Sequence, residues 1–156
     1  MPQGSPAPDP APRVTGILET CLYVADVEAA ARFYESLFGF PRLASDSRFC
    51  ALAVTVPDDG RPRASSSVLL LFRRGATREP IALPGGIIPP HGGGGEEHIA
   101  FAVPAEDLAA WEDRLASLGV TIESRVRWGL GGESVYFRDL DRHLVELATP
   151  GTWPTY

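Results

Sequence analysis

The chain repeats its own pattern. An apolar stretch, a helical stretch and three more apolar stretches occur in that order twice, on either side of a segment without periodicity. The first set opens with "GILETCLYVAD", where Ile17, Leu18, Leu22 and Val24 give a strand its apolar weight. Asp26 stands where a helix cap belongs. Val27, Ala30, Phe33, Tyr34 and Leu37 then recur at helical spacing in "VEAAARFYESLFGF". Gly39 ends that helix, and Pro41 blocks its continuation. "RLAS", "FCALAVTV" and "SSVLLLFRR" read as three strands, with "DDGRPRASS" as a polar hairpin loop or mobile excursion. The second set runs "EHIAFAVP", then the helix "AEDLAAWEDRLASLG" with Leu108, Trp111, Leu115 and Leu118 on one face. "VTIESRVRW", "ESVYFRD" and "HLVELAT" complete it.

Two βαβββ modules in tandem follow, an α+β fold with boundaries at 14–74 and 96–150. The segment 75–95 between them holds four prolines and seven glycines and reads as a linker. The Pro-rich stretch 1–13 reads as a disordered tail, and 151–156 as a C-terminal tail. Each module must bury its helix against one face of its own strands. The helices therefore lie outside, and the strands form a curved mixed sheet whose other face surrounds a cleft.

Composition narrows the chemistry. The formal net charge of −6 argues against a nucleic-acid surface. All 14 basic residues are arginine, which excludes Schiff-base lysine chemistry and a P-loop lysine. Two cysteines, Cys21 and Cys50, are too few for a disulfide scaffold and point to a reduced, cytoplasmic setting. No apolar run approaches a membrane span, and the opening residues lack the apolar core of a secretory signal. The run Gly92 to Gly95 precedes a strand rather than a helix, so it is no phosphate cradle. No GxSxG elbow occurs.

Strand alternation assigns side chains to faces. Thr20, Leu22 and Val24 share one face of the first strand, while Glu19, Cys21 and Tyr23 share the other. Ile99, Phe101 and Val103 meet the second helix, so His98, Ala100 and Ala102 look the opposite way. In the last strand Val145 and Leu147 oppose Leu144, Glu146 and Ala148. Glu19, His98 and Glu146 all project from the free faces. An unpaired carboxylate between Val145 and Leu147 would be costly to bury. His91 reads as a solvated loop residue and His143 as a turn residue on the opposite face from Glu146.

Over about residues 15 to 150 this pattern resembles the vicinal oxygen chelate superfamily, which includes glyoxalases, extradiol dioxygenases, fosfomycin-resistance transferases and bleomycin-binding proteins. The resemblance rests on "ILETCLYVADVEAAARFYESLFGF", "EHIAFAV" and "SVYFRDLDRHLVEL". In that family the ligands of one divalent metal come from the first and last strands of each module. The resemblance places them on Glu19, where many members carry histidine, on His98 and on Glu146. The fourth position falls among Leu69, Leu70 and Leu71, which bind no metal. A three-ligand site is implied, unlike the four-ligand glyoxalase pattern. Glu19 and Glu146 are the implied catalytic carboxylates. Arg142 stands where the family's turn usually has glycine.

Two carboxylates and one imidazole would formally neutralise a divalent ion and weaken its pull on substrate oxygens. They suit Fe, Mn, Zn or Mg and do not choose among them. Cys21, Tyr23, Trp128, Ser134 and Tyr136 are the implied contacts to a small-molecule substrate. Two of them also have a plainer reading, Cys21 as a small buried hydrophobe and Tyr136 as core. The family implies a metal ion chelating neighbouring substrate oxygens and stabilising an oxyanion, in an isomerase, lyase, thiol transferase or ring-cleaving dioxygenase. The alternative is a metal-free, bleomycin-resistance-like protein that binds a drug or metabolite in the same cleft. No nucleic-acid or membrane partner is expected, and exposed sheet edges point to a homodimer.

Overall fold

The computed structural model describes residues 12–54 and 67–156. The "DDGRPRASS" loop and nearly all of the Pro-rich N-terminal stretch lie outside the described residues. Strand β1 (Glu19–Val24) leads into helix α1 (Val27–Phe38), which is capped as its sequence dictates. The Asp26 carboxylate accepts from the Glu28 and Ala29 amides, and Gly39 takes the left-handed conformation at the other end. Strands β2 (Arg42–Ser45), β3 (Phe49–Ala53) and β4 (Val68–Arg73) complete a four-stranded sheet in the order β1-β4-β3-β2. β1 and β4 pair in parallel and the other neighbours antiparallel.

The linker is more structured than its composition suggests. It folds into a hairpin of β5 (Ile81–Leu83) and β6 (Gly86–Ile88), turned at Pro84 and Gly85. The second module then repeats the first. It comprises β7 (His98–Ala102), a 3₁₀ turn at Ala105–Asp107, α2 (Leu108–Ser117), β8 (Ile122–Arg127), β9 (Glu133–Arg138) and β10 (Leu144–Ala148). Its sheet order, β7-β10-β9-β8, is that of the first sheet, again with one parallel pair. The strands thus form two mixed four-stranded sheets.

The helix-bearing faces of both modules share one core. Leu22, Val24, Tyr34 and Leu37 from the first module pack in the same cluster as Phe101, Leu115, Phe137 and Leu147 from the second. The two helices meet: Phe38 lies 5.4 Å from Trp111 between ring centroids, and the Arg114 guanidinium donates to the Ser36 and Leu37 carbonyls. Packing helix side to helix side leaves the free faces of the two sheets opening away from this shared core. Leu118 departs from the predicted apolar face; it lies just past the end of α2 and is exposed.

Polar groups stitch the modules together. His143 is fully buried, and not merely a turn residue. Its Nδ1 accepts from the Glu97 amide at 3.1 Å, which leaves Nε2–H to donate to the Tyr23 carbonyl, also at 3.1 Å. The neutral ring is satisfied on both sides. The buried Tyr34 hydroxyl donates to Asp139 across the modules at 2.9 Å. Burial pushes the Asp139 carboxyl above the usual aspartate range, against hydrogen bonds that favour its ionised form. A raised folded-state pKa contributes stability below the ordinary value of about 4 that is lost as pH rises through the folded value. The stability of the parent relative to Asp139→Asn should therefore be greater near pH 4 than near pH 7. Urea unfolding of both proteins at the two pH values measures this, and a pH-independent difference would count against it.

Arg142 is the one non-glycine residue with positive φ among the described residues, at 68°. This explains why a glycine suits the turn. Arg142→Gly should change stability by under about 1 kcal/mol, since relief of strain offsets the added freedom of the unfolded chain. Arg142→Val should cost roughly 1–2 kcal/mol, because a β-branched side chain resists this conformation. Thermal melts of the two variants test the ordering.

Candidate functional site

The second sheet builds one half of a site. β10 lies between β7 and β9, so Glu146 on its free face is flanked on both sides and only 6% exposed. The register sets Tyr136 directly opposite Glu146 and Ser134 opposite Ala148. His98 opens the edge strand β7, paired with Leu144. The alternation read from sequence therefore holds: Phe101, Val103, Val145 and Leu147 are buried towards the helices, and His98, Ala100 and Ala102 are exposed.

His98 Nε2 lies 3.2 Å from Glu146 Oε2. His98 Nδ1 lies 3.1 Å from the Leu144 carbonyl. Both ring nitrogens thus face acceptors. A neutral imidazole has one N–H and satisfies one of them. With Nδ1–H on the carbonyl, the Nε2 lone pair points towards a carboxylate, and a second ring proton or a metal cation between them resolves the conflict. Two ligands about 2.1 Å from one ion and roughly 100° apart stand about 3.2 Å from each other. The outer contacts fit the same arrangement: the Leu144 carbonyl fixes the ring, and the Tyr136 hydroxyl holds Glu146 Oε1 at 2.9 Å. Burial and the Glu146 carboxylate push the Tyr136 phenol above its ordinary pKa, so it remains a donor. The Trp128 indole donates to Ser134 at 2.8 Å and presents a flat, partly exposed ring.

Glu19 is not brought to this pair. It stands exposed at the start of β1 on the other sheet, and no three His, Cys, Asp or Glu side chains converge as a metal site within the chain among the described residues. The physical reason is the packing of α1 against α2, which sets the free faces of the sheets apart. The expected contacts divide in the same way. Cys21 and Tyr23 lie with Glu19, while Trp128, Ser134 and Tyr136 lie with His98 and Glu146.

The first sheet's free face is a second half. Together with the hairpin it encloses a cavity of about 700 Å³ lined by Glu19, Cys21, Tyr23, Leu70, Phe72 and His91, among others. His91 is not a solvated loop residue: Thr77 clamps its backbone through both its carbonyl and its hydroxyl, and Phe72 meets its ring at 4.9 Å. Its Nδ1 lies 2.6 Å from the Tyr23 hydroxyl. Burial, helped by the Cys21 thiol and the Glu97 carboxylate, pushes the Tyr23 phenol up to about 12. The glycine run has one strict requirement. A Cβ at Gly93 would stand 2.5 Å from both the Tyr23 ring and the Glu97 carboxylate. The one signal that could have found His91 was its place next to that run.

Paired βαβββ modules with one histidine and one carboxylate on the free face of the second define the class, and comparison names the family. The sequence pattern of the Glyoxalase/Bleomycin resistance protein/Dioxygenase superfamily matches residues 16–147, and the chain belongs to that superfamily. Metallothiol transferase FosB from Bacillus licheniformis is 45% identical over 53 residues, 33% of this chain and 34% of that protein. The chain thus matches about a third of that relative's length. Lactoylglutathione lyase from Agrobacterium tumefaciens superimposes with a TM-score of 0.76 at 27% identity, covering 90% of this chain and 98% of that one. The fosfomycin resistance protein FosX from Listeria monocytogenes, solved with Mn(II) and sulfate, shares the fold. Its TM-score is 0.60 at 20% identity, over 88% of this chain and 91% of that one. No helix among the described residues is long and apolar enough to cross a membrane.

Proposed function

We propose that this chain is a divalent-metal enzyme whose site is completed between two copies. His98 and Glu146 of one copy and Glu19 of a second would hold the ion. The observation that carries the reading is the imidazole with acceptors at both nitrogens, beside a buried carboxylate. A bound ion would act as a Lewis acid, drawing charge from two neighbouring substrate oxygens. The chain's own groups do the rest. Tyr136 keeps one Glu146 oxygen engaged and so orients the other. The Leu144 carbonyl holds the His98 ring. Trp128, positioned by Ser134, offers an apolar wall that excludes water. Glu19, exposed and on the other module, is free to meet a second copy's half-site.

The name of the metallothiol transferase points towards transfer of a thiol, and that of the lactoylglutathione lyase towards lyase chemistry. The choice between them belongs to substrate screening. The first test is a thermal-shift series with Mn²⁺, Fe²⁺, Zn²⁺ and Mg²⁺. An ion present at a hundred times its Kd stabilises by about 2.7 kcal/mol, which for a chain of this size raises Tm by roughly 5–10 °C. If no divalent ion moves Tm while an aromatic metabolite does, the protein is a metal-free binder and the enzyme reading falls.

A further inference from the structure

The cavity on the first sheet has a chemistry of its own. Its walls are mostly apolar: Phe49, Leu70 and Phe72 from the strands, and Ile81, Leu83 and Ile88 from the hairpin. About 700 Å³ suits a drug-sized molecule. Its charges are few and not arranged for an anion. The Arg48 guanidinium is held by Asp46 at 2.9 Å, and Glu19 adds a negative charge. Among the described residues that line this cavity, a phosphonate would find no cation without a carboxylate partner.

One polar group is nonetheless set into this apolar wall. With the Tyr23 hydroxyl donating to it, His91 Nδ1 is the acceptor and the ring's proton sits on Nε2. That Nε2–H has no hydrogen-bond partner among the described residues. The clamp from Thr77, itself 1% exposed, and the edge contact with Phe72 hold the ring in place without any ligand. A fixed donor in an apolar pocket selects for an acceptor oxygen, because an apolar occupant leaves the donor dry and unpaired.

We propose that the first module's free face binds an uncharged, largely apolar small molecule through an acceptor oxygen that His91 Nε2–H recognises. The inference deepens the enzyme reading by naming its substrate class, and it rests on that reading for the claim that the occupant is a substrate. It sets this chain's cavity apart from a site for a phosphonic acid such as the one bound in a structure of FosX.

The experiment uses the full chain and a matched pair of probes, 2-acetylnaphthalene and 2-ethylnaphthalene, which differ in one carbonyl oxygen. Calorimetry should show 2-acetylnaphthalene saturating near one per chain and binding at least as tightly as the hydrocarbon. In His91→Leu the ketone-to-hydrocarbon affinity ratio should fall about tenfold, the size of one hydrogen bond. In His91→Gln, which keeps an N–H donor, it should stay within about threefold of the parent. Leu70→Asn should weaken both probes by about tenfold through lost apolar contact. Methylphosphonate at millimolar concentration should not displace the ketone. Absence of saturable binding, a ratio that His91→Leu leaves unmoved, or displacement by methylphosphonate would overturn the proposal. Mn²⁺ stoichiometry measured on the same samples separates the two readings. Ketone binding without metal in any sample sinks the enzyme reading and leaves this one standing; metal without ketone binding does the reverse.

Discussion

His98→Ala is expected to lower divalent-metal affinity by about 10²-fold or more, enough to leave protein purified without chelator free of metal. The imidazole supplies the only nitrogen of the proposed set, and its removal leaves the buried Glu146 carboxylate facing a half-exposed gap. Two oxygen ligands then compete with water on nearly equal terms. Tyr136→Phe should act on the same ion through Glu146, weakening it by roughly 10- to 100-fold, since the phenol touches the carboxylate and not the metal. The ordering of the two variants matters as much as their size. Elemental analysis and competition with a metal indicator read both. If Tyr136→Phe were the more damaging, or if His98→Ala kept its metal, the pair would be a hydrogen-bonded strand end and the site would lie elsewhere.

Much of this half-site was legible because it depends on short-range rules. Period-two alternation puts His98 and Glu146 on the face away from Phe101 and Leu147, whatever the rest of the molecule does. The caps at Asp26 and Gly39 are equally local. The left-handed backbone at Arg142 was visible as a departure from the family's turn. What stayed hidden depends on long-range packing. Nothing in the spacing of Glu19 says that α1 will lie against α2 and carry the two free faces apart. His143 looked like a turn residue because its partners, the Glu97 amide and the Tyr23 carbonyl, are 46 and 120 positions away. His91 lay in a stretch whose glycines and prolines erase periodicity, so the hairpin that places it left little trace in the pattern. By sequence the glycine run is part of the linker. At Gly93 it is a close approach to Tyr23, a constraint that shows once both segments are in place.

The division of the site predicts a result that a single-chain site could not give. Glu19→Ala and His98→Ala should each lose metal, the first because the second copy's carboxylate is missing and the second because the imidazole is. A mixture unfolded and refolded together should regain it. In a two-fold dimer each site takes Glu19 from one copy and His98 with Glu146 from the other. A mixed dimer of the two variants carries one site with both substitutions and one site with neither. Random pairing makes about half of the dimers mixed, so about a quarter of all sites should recover metal, and turnover should recover in the same proportion once a substrate is known. The two variants kept apart should recover none. The refolded mixture must also be dimeric by light scattering, because the terminal strands of the two sheets could drive association without completing a site. Metal kept by Glu19→Ala on its own would show that Glu19 takes no part, the ion resting on His98 and Glu146 with water; metal lost from both variants and not regained in a dimeric mixture would show that the site does not form across the interface. Recovery near a quarter would place Glu19 opposite a second copy's His98, a few ångströms from the same ion, and would explain why a single chain leaves the carboxylate exposed at the rim of an apolar cavity.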